Sequence, residues 1–68
     1  MKFKKHEQSY TSIKRGDLLY SVTLDRSNIW IIFVYREGNY LTTFTLPKSQ
    51  ATDPEDAVNK VRLMEDLR

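Results

Sequence analysis

Acid–base chemistry has one place to start in this chain: His6 and Glu7, adjacent to each other and preceded by Lys4 and Lys5. An imidazole beside a carboxylate can move a proton near neutral pH, and two ammonium groups could hold a phosphodiester for cleavage. The grouping lies within residues 1–9, MKFKKHEQS, which lack a hydrophobic period and read as a mobile basic tail or the frayed start of an edge strand. Catalysis needs groups held to fractions of an ångström, so this placement argues against an enzyme. There is no cysteine, and His6 is the single histidine, which excludes thiolate sites and sites built from several imidazoles. Glu55-Asp56 and Glu65-Asp66 are sequence neighbours. On a helix such neighbours point roughly 100° apart, which suits dipole compensation and solubility better than metal binding. The sequence therefore predicts no catalytic residue, no metal and no cofactor, and it displays no small-molecule substrate site.

Binding chemistry has more to work with. Lys2, Lys4, Lys5, Lys14 and Arg15 stand against Glu7 alone in the first fifteen residues, while the stretch from Lys48 onward is mildly acidic. The basic front end could track phosphates, with Phe3, Tyr10 and Trp30 stacking on bases. The net charge is only +2, however, and Arg36 is the one basic residue between Asn28 and Leu46. A sheet that reads nucleic acid normally presents Arg, Lys or Asn from its open face. Nucleic-acid binding is thus the alternative expectation. Arg15-Gly16-Asp17 spells an integrin-recognition tripeptide, but without a secretory signal or disulfides it reads as a turn.

The elements that must carry any such site are clearer. Sixty-eight residues make one domain (1–68), which removes only about 60% of its unfolded surface from water and is marginal without help. Ile29-Trp30-Ile31-Ile32-Phe33-Val34-Tyr35 is uninterruptedly apolar, β-prone and short, the mark of a strand buried on both faces at the centre of a sheet. Leu18 to Leu24 alternates, and Tyr40 to Leu46 carries Tyr40, Phe44 and Leu46 in phase. Polar turns at Asp25–Asn28 and Arg36–Asn39 join these segments into a meander over 18–46. Tyr10–Ile13 could add a short edge strand, followed by turn chemistry at Lys14–Asp17. Asp53-Pro54-Glu55-Asp56 is a helix start, with a capping Asp, Pro at the first helical position and carboxylates at the positive end of the dipole. The helix is expected over 54–67, with Ala57, Val58, Val61, Met64 and Leu67 within one half of its circumference and Leu63 at its edge. The expected fold is α+β: a three- or four-stranded antiparallel β-meander with one C-terminal α-helix packed on one face.

Loop length decides which residues share a face. Even loops pair Leu24 with Ile29 and Tyr35 with Tyr40, and collect Leu18, Tyr20, Val22, Leu24, Ile29, Ile31, Phe33, Tyr35, Tyr40, Phe44 and Leu46 under the helix. Trp30, Ile32 and Val34 would then form a ridge on the open face, with Leu19 and Leu41 alongside and Tyr10 near the edge. An uncovered Trp-bearing ridge marks a contact surface. The first expectation is accordingly a non-enzymatic interaction module of the regulator or inhibitor type. It would bind a protein partner, or a second copy as a homodimer, through the open sheet face or an edge strand.

Trp30 in a strand, Gly38 in a hairpin, and Phe44 leading to Asp53-Pro54-Glu55-Asp56-Ala57 together resemble, distantly, the arm-type DNA-binding domains at the N-termini of phage integrases. The resemblance covers about residues 28–67 and implies a sheet that contacts DNA. The chain departs from that pattern in lacking the basic and polar sheet residues, and in the longer connection from Phe44 to the helix. The same strand-to-helix shape occurs in small antitoxin-like and phage accessory proteins. No apolar run reaches the ~18 residues that a membrane span requires, so a soluble, cytoplasmic protein is expected.

Overall fold

Two two-residue turns and one three-residue loop fold the strand-forming part of the chain into a four-stranded antiparallel meander of order β1-β2-β3-β4. The computed structural model describes residues 9–66. β1 (Thr11–Arg15) enters β2 (Leu18–Leu24) through Gly16-Asp17. Positive φ at Gly16 but not at Asp17 is the pattern of a type II′ turn. β3 (Ile29–Arg36) enters β4 (Asn39–Pro47) through Glu37-Gly38, with φ of +51° and +83°, as a type I′ turn requires.

The β2–β3 connection departs from the even loop expected. The Asp25 N–H donates to the Ile29 carbonyl (2.8 Å) and the Asn28 N–H to the Asp25 carbonyl (2.9 Å), leaving Arg26-Ser27-Asn28 as a three-residue loop. Asn28 takes the left-handed conformation that such a loop needs at its end, with φ +64°, and the Asp25 carboxylate accepts from the Ser27 N–H (3.3 Å). Leu24 therefore pairs with Trp30, not with Ile29. Because side chains alternate, that single-residue offset turns the whole of β3 over.

A second offset follows in β4. Tyr35 pairs with Tyr40 as expected, but Val34 pairs with Thr42, which leaves Leu41 as the extra residue of a bulge. Phe44 and Leu46 consequently stay on the helix side opposite Ile32 and Trp30, whereas Tyr40 shares the other face with Tyr35.

After Pro47 a single 3-10 turn (Lys48–Gln50) leads to α1 (Pro54–Asp66). The Asp53 carboxylate accepts from the Asp56 N–H (2.8 Å), and the Asp56 carboxylate reaches back to the Thr52 N–H (3.0 Å). The first bond satisfies a donor that a helix start leaves open, and the second ties the residue before the cap to the first turn. Asp53→Ala should cost about 1 kcal/mol, a fall of roughly 4–8 °C in melting temperature for a domain of this size. A thermal melt followed by circular dichroism checks it, and an unchanged midpoint would mean that the cap contributes nothing.

α1 packs on β2, β3 and β1. The core is Tyr20, Val22, Trp30, Ile32, Val34 and Leu46 from the sheet, with Ala51, Ala57, Val58 and Val61 above it; Ile13, Leu18, Leu24 and Phe44 pack at its margin. Ala57, Val58 and Val61 are buried as the helical period predicts. Met64 and Leu63 are exposed, and Leu67 lies outside the described residues.

Candidate interaction surface

Trp30, Ile32 and Val34 are not on the open face. They are 6%, 0% and 1% exposed and form the centre of the core beneath α1. The odd loop before β3 is the physical cause, and it removes these three residues from any contact surface of the folded domain. The Trp30 indole N–H donates to the Ala51 carbonyl (2.9 Å), so the tryptophan pins the connection between sheet and helix. Lys60 reinforces the same connection through the Gln50 carbonyl (2.7 Å).

The open face carries what β3 turned over. Ile31, Phe33 and Tyr35 now lie there, flanked by Leu19, Ser21 and Thr23 on β2 and by Tyr40, Thr43 and Thr45 on β4. Its aromatic rings touch in pairs. Tyr35 and Tyr40 meet edge to face at 6.0 Å between centroids, and Tyr10 reaches over β2 to Phe33 at 6.3 Å. Tyr40, 57% exposed, is steadied by a 2.6 Å hydrogen bond between its hydroxyl and that of Thr43. At the β1 margin the Ser9 carbonyl accepts from the Thr23 hydroxyl (3.0 Å), which accounts for a threonine buried on the solvent side of the sheet.

Three residues expected at a contact surface are exposed: Leu19 on this face, Tyr10 crossing it, and Leu41 at the bulge. Ile31, Phe33, Tyr35 and Tyr40, which were expected under the helix, join them in the exposed set or at its half-buried base. The signal that could have found them is the Asp25-Arg26-Ser27-Asn28 segment, where Asn28 suits a left-handed loop end better than any even loop requires.

Charge is confined to the rim. Lys14 is the one charged side chain placed on the open face by the strand register among the described residues. Arg15 points to the opposite side, where it pairs with Glu55 (3.0 Å), and Asp17 pairs with Arg36 (3.4 Å) at the turn end. The structure thus does not gather Lys14 and Arg15 into one patch. Lys2, Lys4, Lys5, His6 and Glu7 lie outside the described residues. Glu55 and Asp56 serve an ion pair and the helix cap, and no group of three or more acidic or histidine side chains among the described residues could hold a metal ion. No helix among them is long and apolar enough to cross a membrane.

Compared with protein-family models, with curated proteins and with solved structures, the chain finds no match. The resemblance to arm-type DNA-binding domains gains no support from these comparisons.

Proposed function

We propose that this chain is a non-enzymatic interaction module, of the regulator or inhibitor type, that binds a protein through the open face of its sheet. The observation that carries this reading is the aromatic and aliphatic surface of Tyr10, Leu19, Ile31, Phe33, Tyr35 and Tyr40, which no other described element covers. Interface centres are poor in charge and rich in aromatic residues, with a polar rim. This face has that composition: hydroxyl-bearing neighbours beside the rings, and Lys14, Asp17, Arg36 and Glu37 gathered toward the turn end. The partner of stated chemistry is a polypeptide offering an apolar surface to the rings.

The test uses the full chain, immobilised, to capture and identify a protein from the native host. Amide shifts on titrating that purified partner should map to Leu19, Phe33, Tyr35 and Tyr40. Phe33→Asn with Tyr40→Asn should weaken binding at least tenfold while the far-ultraviolet circular dichroism stays unchanged. Shifts that cluster on Leu63 and Met64 instead would refute the open-face reading.

Nucleic acid remains the second reading, favoured by one observation. Four rings on a sheet face (Tyr10, Phe33, Tyr35 and Tyr40) are the kind of platform on which single-stranded bases stack. Salt-dependent retention on single-stranded DNA or RNA, lost on deleting residues 1–8, would establish it in place of the first.

A further inference from the structure

The two edges of the sheet are guarded unequally. β1 is five residues long and carries Lys14 and Arg15, and charge on a short strand is a common protection against strand addition. β4 is nine residues long and has no charged side chain. It pairs with β3 on its inner side, and no strand of the described residues lies on its outer side. The hydrogen bond from the Lys48 N–H to the Asn28 carbonyl (2.9 Å) sets the phase of the ladder. Counting back in twos, Leu46, Phe44 and Thr42 direct their backbone groups at β3, while Thr43 and Thr45 direct theirs outward. Pro47 belongs to the outward set and has no N–H to leave unpaired. The bulge at Leu41 ends the regular run on one side and Pro47 on the other. The run available for pairing is Thr42–Leu46, and Phe44 is its midpoint.

We propose that β4 pairs antiparallel with β4 of a second copy of this chain, about a two-fold axis through Phe44. Thr43 then lies opposite Thr45 of the second copy, and the two exchange both backbone hydrogen bonds, as do their symmetry mates. Moving the register so that Thr43 opposes itself would set Thr45 against the bulged Leu41. Moving it so that Thr45 opposes itself would set the Thr43 carbonyl against the proline ring of Pro47. Only the Phe44-centred register satisfies every outward N–H and C=O of Thr43 and Thr45. A second copy fits the edge because an uncharged strand meets itself without like-charge repulsion, and threonine opposite threonine is a favourable cross-strand pair. The product is one eight-stranded sheet whose two open faces lie side by side. This pairing uses backbone groups and stands independently of what binds the open face.

Sedimentation velocity on the full chain, from micromolar to millimolar concentration, should show the mass rising from 8.1 kDa toward twice that value. Thr45→Pro removes an outward N–H without touching the β3 ladder and should stay monomeric throughout, whereas Thr45→Ala keeps the N–H and should associate like the parent. A circular-dichroism spectrum of dilute Thr45→Pro verifies its fold. Amide exchange in the parent chain supplies a measurement that needs no variant: the Thr43 and Thr45 amides should slow at high concentration. A constant 8.1 kDa mass, concentration-independent exchange at both amides, or undiminished association of folded Thr45→Pro would each overturn the proposal. So would association abolished by Tyr40→Asn but not by Thr45→Pro, which would place the contact on the open face.

Discussion

Trp30→Ala is expected to abolish cooperative folding. The substitution removes a side chain that is 6% exposed at the centre of the core, together with the hydrogen bond that ties Ala51 to the sheet. Truncating a buried aromatic residue costs about 3–5 kcal/mol, and leaving the Ala51 carbonyl without its donor adds about 1–3 kcal/mol. A domain of this length holds in total only roughly 3–10 kcal/mol against unfolding. Far-ultraviolet circular dichroism should therefore show a broad, non-cooperative melt or none. Trp30→Phe, which keeps most of the apolar bulk but not the N–H, should melt cooperatively at a lower temperature. If Trp30→Ala instead melted within a few degrees of the parent chain, the indole could not lie beneath α1.

The second large effect is a contrast within one helix. Val61 is fully buried against the sheet, while Leu63, two positions on, is 62% exposed. Val61→Asp forces a carboxylate into a position that is 0% exposed in the core, which costs several kcal/mol whether the group stays charged or takes up a proton. The domain should be unfolded at room temperature. Leu63→Glu meets water and should leave stability within about 0.5 kcal/mol of the parent. Chemical denaturation of the two variants side by side measures both. Equal effects would mean that the helix is not docked on the face described.

Much of this architecture could be read from residue types. Asp53-Pro54 announces the helix start, and the helical spacing picks out Ala57, Val58 and Val61 as buried but also places Met64 on that stripe, where the structure leaves it exposed. Leu18 to Leu24 shows its inward side by alternation, and the Tyr35–Tyr40 pair follows from the Glu37-Gly38 turn. β3 could not be oriented in the same way. Ile29 to Tyr35 is apolar at every position, so its alternation has a period and no phase. Only the flanking loops fix which half faces the helix, and their offsets are single residues. The loop at Arg26–Asn28 left a trace in Asn28, whereas the bulge at Leu41 left none, since leucine has no special fitness for a bulged position. The existence of an open, ring-bearing sheet face was therefore legible, but the residues expected on it came out exchanged with those of the core. The basic front end was legible as charge alone; the structure divides Lys14 from Arg15 because neighbouring strand positions face opposite ways.

The bond between the Trp30 indole and the Ala51 carbonyl also gives the molecule a built-in optical gauge. Trp30 is the sole tryptophan, and it sits on the side of the sheet away from the candidate contact surface. Its emission, excited selectively at the red edge where tyrosine does not absorb, reports whether the connection and α1 are seated. Quenching or a spectral shift during a titration would then signal loosening of the helix layer, whereas binding on the far side would show first in tyrosine signals. Occupancy and unfolding can thus be followed separately in one unlabelled sample.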